Sequence, residues 1–268
     1  MTILDYITTP FRWIIGWFVA SFWILAIALT AIVVPPPRLH KLWKFGFRMI
    51  TTVAGLKIRV RGAEHIDPNK GYLYMTNHVN LMEPFIDMPC IPGWVAAIEK
   101  KENFKLPIYG LLIKAWGNIP IDRGDSASAK QSLEDAKAQL ARGTSVAIMP
   151  EGTRSKDGKL QPFKKGGFHL AIETGATILP YAHKNLDKFN RKGSLWLKPT
   201  EIEVVFTPPV DASQYTKDQI DELMARVRGQ IEAELALPMG TSTTEQAQIG
   251  SGSRSFSSAE LDASLGNP

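Results

Sequence analysis

The feature that most constrains this chain is a run of 22 uncharged residues, Trp13–Val34, near its N-terminus. As an α-helix the run would be about 33 Å long, enough to cross a hydrocarbon core of about 30 Å. It is long for the apolar part of a signal peptide, and Pro35-Pro36-Pro37 after it is not a small-residue cleavage site. The sequence therefore predicts a membrane helix. A spanning helix and a two-helix hairpin that dips into one leaflet both fit it.

A basic amphipathic segment, Arg38–Ala54, follows directly. Its apolar residues recur at helical spacing, which predicts a helix lying on a membrane surface; packing on the core of a soluble domain is the alternative. Residues 1–60 carry seven basic groups and one acid, so their net charge is +6, and the remainder carries −1 because the whole chain carries +5. Basic charge concentrated around an apolar run indicates anionic lipid and not nucleic acid, and it favours the cytoplasmic side for the rest of the chain.

Beyond Leu56, short apolar runs with strand character alternate with helical patterns. This alternation predicts an α/β fold in which helices sandwich a mixed, largely parallel sheet. We expect membrane-associated helices over 1–54, one catalytic domain over 55–238 and a disordered tail over 239–268, where Ser, Thr and Gly make up nearly half of the residues. After a strand that begins at Leu56, the predicted strands are Tyr72–Thr76, Trp94–Ile98, Asn118–Ile121, Ser145–Met149, Thr177–Tyr181 and Glu201–Phe206, and the predicted helices are Ser126–Arg142, Phe168–Thr174 and Thr216–Leu237.

The first candidate site is a histidine and an acid at a joint between a strand and a helix. His78 follows the strand Tyr72–Thr76, and Glu83 precedes Pro84, a residue favoured at the first position of a helix. The helix dipole favours a carboxylate there, so Glu83 can hold the imidazole as a general base. Asp87, one helical turn later, is an alternative partner, and a purely structural histidine is the simplest alternative. The other histidines lack a comparable carboxylate at a joint between a strand and a helix; they are His40, His65, His169 and His183.

The second candidate site is the turn Met149–Ser155 after another predicted strand. Its glycine permits close approach of the backbone to a ligand, and the guanidinium of Arg154 can grip a phosphate. Arg123 and the segment Lys100–Pro107 add positive charge after two further strands. Taken singly, these features are also typical of a polar turn, an Asp122–Arg123 pair and a solvated charge run. The sequence contains no Walker A loop, no G-x-S-x-G elbow, and neither an H-E-x-x-H motif nor a Cys/His spacing for zinc.

Together these motifs resemble the glycerophospholipid acyltransferase family typified by bacterial 1-acyl-glycerol-3-phosphate acyltransferase. The resemblance covers roughly residues 40 to 210, and four motifs occur in order. Glu83 stands where the family pattern has aspartate. The motifs are Asn77-His78 through Glu83-Pro84-Phe85, Gly117–Arg123, the unchanged P-E-G-T-R-S of Pro150–Ser155, and the apolar strand Thr177–Tyr181.

The resemblance implies transfer of an acyl group from acyl-CoA or acyl carrier protein to the free hydroxyl of 1-acyl-glycerol-3-phosphate, giving phosphatidic acid. We expect this reaction at the cytoplasmic face of a bacterial inner membrane. The resemblance also implies His78 as general base and Glu83 as the acid that orients it, with no metal and no cofactor besides the donor. The alternatives are another lysolipid acceptor, such as a lyso-ornithine lipid, a non-catalytic lipid-binding protein, and a phosphate-dependent soluble hydrolase. The residues implied for binding the glycerol phosphate are Glu151, Gly152, Thr153, Arg154, Arg123, Lys101 and Lys105.

Overall fold

A mixed sheet organises the part of the chain that the computed structural model describes, which comprises residues 3–34, 36–122, 124–190 and 192–241. Its strand order is β1-β7-β6-β2-β5-β3-β4, with β8 paired to β6. All neighbours are parallel except β6 with β7 and β6 with β8. The predicted mixed, largely parallel sheet is confirmed. The strands are β1 Leu56–Arg61, β2 Leu73–Thr76, β3 Val95–Lys100, β4 Ile119–Ile121, β5 Ser145–Ile148, β6 Thr177–Lys184, β7 Thr200–Phe206 and β8 Val210–Asp211.

Helices cover both faces of this sheet. Since successive strand residues point to opposite sides, Tyr74 of β2 packs into one apolar cluster, while Leu73 and Met75 pack into the other. The first cluster includes side chains of α2, α3 and α4, and the second includes side chains of α5, α6 and α8. The helices are α1 Ile3–Val33, α2 His40–Ala54, α3 Glu83–Cys90, α4 Tyr109–Trp116, α5 Ser126–Ala141, α6 Gly166–Thr174, α7 Leu186–Phe189 and α8 Ile220–Ala236.

The other long strands and helices follow their predicted positions to within a few residues, but α1 begins at Ile3, ten residues before the predicted Trp13, and α4, α7 and β8 were not predicted. One difference affects the site. Strand β6 continues past Tyr181 to Lys184, and all eight of its residues are buried. The predicted tail, 239–268, lies outside the described residues from position 242 onward. Gly240 is held to the domain, because its carbonyl accepts a hydrogen bond from Arg61 at 2.9 Å.

Helix α1 includes the segment Ile3–Ile27, which is the one described segment long and apolar enough to cross a membrane. Part of the helix packs on the domain. Trp13 Nε1 donates to the Leu195 carbonyl at 2.6 Å, Thr9 is bonded to Leu197, and Ile27 is buried. The rest of the helix exposes large apolar side chains, among them Ile3, Ile7, Phe11, Ile14, Trp17, Phe18, Phe22, Leu25 and Leu29.

Helix α2 faces the domain core, which differs from the membrane-surface orientation predicted for its apolar stripe. Trp43 is fully buried. The centroid of its ring lies 4.4 Å from the ring centroid of Trp116 and 5.3 Å from that of Trp94. This cluster of three indoles gives the stripe an aromatic partner within the protein. Phe45 and Leu42 are the large apolar side chains that α2 leaves exposed.

Candidate active site

His78 and Glu83 meet across the joint between β2 and α3. His78 Nδ1 lies 2.5 Å from Glu83 Oε2. The other carboxylate oxygen accepts the main-chain N–H groups of Val79 at 2.6 Å and Asn80 at 2.7 Å. Glu83 is completely buried, whereas 17% of the His78 side chain is exposed. The acid is therefore held rigidly from three directions, and the ring above it can be reached from outside.

This arrangement determines which ring nitrogen of His78 is free to react. A carboxylate only accepts hydrogen bonds, so Nδ1 carries the hydrogen that it shares with Glu83. In neutral His78, Nε2 then has a free lone pair, and it has no protein partner among the described residues. A base oriented by a buried acid, with its second nitrogen open, can remove a proton from a hydroxyl group.

Asp87, the alternative partner of His78, bonds to another histidine. Its Oδ1 lies 2.7 Å from Nε2 of His183. The expectation that His183 lacks a neighbouring carboxylate is therefore wrong. His183 lies in the part of β6 beyond the predicted end of that strand, and β6 runs parallel to β2, so their carboxyl ends meet at the same edge of the sheet. A predicted strand that continued through His183 would have placed this histidine at the same sheet edge as His78 and α3.

The turn after β5 binds the main chain of His78 on both sides. The His78 N–H donates to Glu151 Oε1 at 2.5 Å, and the Ser155 N–H donates to the His78 carbonyl at 2.7 Å. Glu151 Oε2 accepts the N–H of Gln161 at 2.8 Å. Burial raises the pKa of Glu151, while the two amide hydrogen bonds oppose that rise. Glu151 is buried and its oxygens bond to these amides, so the structure uses it to join loops and not, as expected, as a ligand of the substrate.

The middle of this turn is open and positively charged. Gly152 has a φ of +70°, a backbone conformation that favours glycine, and the end of the flexible Lys164 side chain lies 2.9 Å from where a Cβ would be. Thr153 is exposed and Arg154 is half-buried. The guanidinium of Arg154 has no hydrogen-bond or ion-pair partner in the part of the chain that the structure describes.

A lysine that the sequence did not single out reaches the same turn. Lys192, on the connection from β6 to β7, places Nζ 3.1 Å from the Arg154 carbonyl and 3.3 Å from Thr153 Oγ1. Lys164, Lys192 and Arg154 thus surround one exposed turn beside His78. No local pattern marks Lys192, because only folding brings it near residues 38 and 39 positions away.

Three predicted ligands remain, which are Lys101, Lys105 and Arg123. Lys101 and Lys105 are the first and last residues of a short 3₁₀ helix after β3. In the sheet, β5 separates β3 from β2. Within the described ranges neither lysine makes a hydrogen bond or an ion pair to His78 or to the turn Pro150–Ser155. Arg123 lies outside the described residues. The described residues also contain no group of three or more His, Cys, Asp or Glu side chains that could hold a metal ion.

Comparisons with known proteins agree on one family. A model of the Acyltransferase family matches residues 57–184. The 1-acyl-sn-glycerol-3-phosphate acyltransferase alpha of Homo sapiens is 32% identical over 214 residues, which cover 77% of this chain and 75% of the human protein. The 1-acyl-sn-glycerol-3-phosphate acyltransferase of Limnanthes douglasii is 33% identical over 180 residues, or 67% of this chain, which spans 63% of the length of that relative.

A solved structure establishes the same fold. The crystal structure of the 1-acyl-sn-glycerophosphate (LPA) acyltransferase PlsC from Thermotoga maritima superposes with a TM-score of 0.75. The match covers 89% of this chain and 99% of the PlsC chain at 20% sequence identity. The mixed sheet with helices on both faces is therefore common to the two proteins.

Proposed function

This chain belongs to the 1-acylglycerol-3-phosphate acyltransferase family, and we propose that it acylates the free hydroxyl of 1-acyl-glycerol-3-phosphate to give phosphatidic acid. One observation carries the proposal. The His78–Glu83 pair lies beside a turn with unpaired positive charge, and the hydrogen bond between Ser155 and His78 holds the two together. A glycerol phosphate carries a hydroxyl and a phosphate a few atoms apart, which is the pattern that a base next to cations can bind.

In the proposed reaction, His78 Nε2 removes the proton of the acceptor hydroxyl as its oxygen attacks the carbonyl carbon of a thioester. The donor is acyl-CoA or acyl carrier protein. A C–O bond forms and the C–S bond breaks, and the proton held by His78 passes to the leaving sulfur. Glu83 remains a carboxylate and stabilises the imidazolium between these two steps. The chemistry requires no acyl-enzyme intermediate, metal or further cofactor.

The phosphate of the acceptor is assigned to the turn Pro150–Ser155. Arg154 offers a planar fork of donors that matches phosphate oxygens, and the ammonium groups of Lys164 and Lys192 add charge beside it. Gly152 and Thr153 contribute an open backbone and a hydroxyl. Additional contributions from Lys101, Lys105 and Arg123, as the family resemblance implies, remain predictions.

We propose that the site lies at the cytoplasmic face of a bacterial inner membrane. The apolar outer face of α1 supports membrane attachment, and Leu195 and Trp196 on the adjoining loop are also exposed. A lysolipid acceptor lies in the bilayer, and lifting its chain into water would cost about 0.8 kcal/mol per methylene. A domain held at the membrane surface avoids most of that cost.

Replacement of Arg154 by alanine tests the phosphate assignment. We expect KM for 1-acyl-glycerol-3-phosphate to rise by about 10- to 100-fold, because a charge-assisted hydrogen bond contributes about 1.5–3 kcal/mol. Assays of purified protein in lipid, with labelled acyl-CoA and a panel of lyso-acceptors, measure this change. Turnover of a phosphate-free acceptor such as a lyso-ornithine lipid should be unaffected. Arg226→Ala, at an exposed site on α8, is the control. If the protein does not acylate lysophosphatidate but does acylate a phosphate-free acceptor, the assignment is overturned.

Membrane attachment is expected to survive high salt. Salt screens ionic contacts but does not weaken burial of the apolar face of α1, so the protein should stay in the membrane pellet after a high-salt wash. Phe18→Asp, on that exposed face, should shift protein toward the supernatant, since a carboxylate in the hydrocarbon region costs about 2.5–3.5 kcal/mol. Quantitative blotting of both fractions measures the shift. Complete release of the unmodified protein by salt alone would contradict attachment through α1.

A further inference from the structure

A second histidine–carboxylate pair lies buried behind the first and has no part in the proton transfers. His183 Nε2 lies 2.7 Å from Asp87 Oδ1, and the two side chains are 0% and 4% exposed. Neither can touch a substrate. A buried ion pair is also weak evidence for stability, because desolvation offsets much of the attraction. The bonds that His183 makes to its neighbours indicate a more specific role.

His183 is bonded to both residues that immediately precede His78. Its main-chain N–H donates to Asn77 Oδ1 at 2.8 Å, and Asn77 Nδ2 donates to the His183 carbonyl at 3.2 Å. The ring Nδ1 lies 3.2 Å from Thr76 Oγ1, which itself lies 3.2 Å from Asn77 Oδ1. The end of β2, where His78 emerges, is therefore held by a residue of β6.

The same ring holds the helix that supplies Glu83. Asp87 lies one turn after Glu83 on α3, so the two buried carboxylates share a helix face and repel each other unless one is neutralised. Burial lowers the pKa of His183, but the charge of Asp87 and its hydrogen bond outweigh that effect, so the pKa is raised. A protonated His183 neutralises Asp87 and leaves the carboxylate of Glu83 for His78.

Protonation of His183 also gives each donor in this chain of hydrogen bonds an acceptor. Nε2–H of His183 donates to Asp87, Nδ1–H donates to Thr76 Oγ1, and the Thr76 hydroxyl then donates to Asn77 Oδ1. With a neutral ring of the same Nε2–H tautomer, the single hydroxyl hydrogen of Thr76 would have to serve both Nδ1 and Asn77. The protonated ring therefore allows both contacts of Thr76 Oγ1, with His183 Nδ1 and with Asn77 Oδ1, to be hydrogen bonds at once.

We propose that Asp87 and His183 are positioning residues for acyl transfer, whose ion pair fixes the spacing between β2 and α3 at which His78 meets Glu83. The inference rests on the proposed function for its kinetic test, and it also has a test that needs no turnover. The Asp87–His183 pair acts only through the His78–Glu83 dyad, because burial separates the pair from solvent and from the acceptor turn, Pro150–Ser155.

Asp87→Asn is the first variant, since it keeps the volume and removes the charge. We expect kcat to fall by about 10²-fold, the loss that misplacement by about 1 Å can produce, with KM for the acceptor unchanged. Thr76→Val is a milder second variant that keeps the ion pair and interrupts only the chain to Asn77. It should lower kcat by less, and it keeps the inference testable if Asp87→Asn does not fold.

Glu203→Gln is the matched control. It breaks another buried pair, in which Glu203 of β7 lies 3.9 Å from Lys184, the residue after His183 that points to the opposite face of the sheet. This variant should lower the midpoint of thermal unfolding and leave kcat unchanged. A loss of kcat as large as that of Asp87→Asn would show a general structural effect and overturn the inference.

The proton that His78 shares with Glu83 supplies the readout that does not depend on turnover. In full-length protein with its ring nitrogens labelled, the NMR resonance of His78 Nδ1–H should shift or broaden in Asp87→Asn and stay in place in Glu203→Gln. If the unmodified protein does not acylate lysophosphatidate but the resonance moves, the proposed acceptor fails and the positioning role stands. An unmoved resonance with unchanged kcat in folded Asp87→Asn overturns the positioning role.

Discussion

Replacing His78 with alanine is expected to lower kcat for acyl transfer by about 10²- to 10⁴-fold, the usual contribution of a positioned general base. Without the imidazole, Glu83 cannot act as the base in its place, because its carboxylate is buried and bonded to two amides. Initial rates with lysophosphatidate and labelled acyl-CoA in lipid measure the effect. The variant should still pellet with membranes, since α1 is untouched.

The control for His78→Ala is His169→Ala. His169 is an exposed histidine on α6, so its removal changes the imidazole content of the protein without reaching the dyad. We expect rates close to those of the unmodified protein. If His78→Ala retains full activity while folded, the base must lie elsewhere, and the assignment of the site to the joint between β2 and α3 fails with it.

Replacing Glu83 with glutamine is expected to lower kcat by about 10³- to 10⁴-fold with little change in fold. The amide oxygen can still accept from Val79 and Asn80, which directs the amide NH₂ toward His78 Nδ1. Nδ1 must then act as acceptor, so the hydrogen moves to Nε2, the nitrogen that has to take the proton. An asparagine in place of the triad aspartate of a serine protease has an effect of about 10⁴-fold for the same reason.

Glu83→Asp separates the effect of charge from that of reach. It restores the residue found at this position in the family pattern and keeps the carboxylate, so it should be far more active than Glu83→Gln. The shorter side chain cannot reach His78 and both amides in the present geometry without a shift of the loop Val79–Met82. Comparing kcat and thermal unfolding of the two variants measures this difference. Equal activity of Glu83→Gln and the unmodified protein would remove the tautomer argument.

The His78–Glu83 dyad could be predicted because the residues that define it are close together in the sequence. His78 and Glu83 lie five residues apart, and a strand, a proline and a helix start are all visible between Tyr72 and Asp87. The same holds for the turn after β5, where a strand end and a glycine are adjacent. Local cues of this kind also placed most strands and helices to within a few residues.

Contacts between distant segments could not be predicted in the same way. Asp87 pairs with His183 across 96 residues, and Lys192 reaches the acceptor turn from the next connection. Both depend on the order of strands in the sheet, which the hydrophobic pattern does not specify. The orientation of α2 was missed for a related reason. An apolar stripe predicts burial, but the pattern is the same whether lipid or Trp94 and Trp116 cover it.

The bond from Glu151 to the main chain of His78 has a consequence for enzyme engineering. This bond fixes two segments 73 residues apart against each other. A chimera that receives only one of them from a relative can therefore lose the contact between Glu151 and the main chain of His78. Grafts intended to change headgroup preference should therefore carry Glu151, Ser155 and Gln161 along with the segment around His78. Arg154 takes no part in that contact through its side chain, which makes it the position where a library can be randomised without loosening the base.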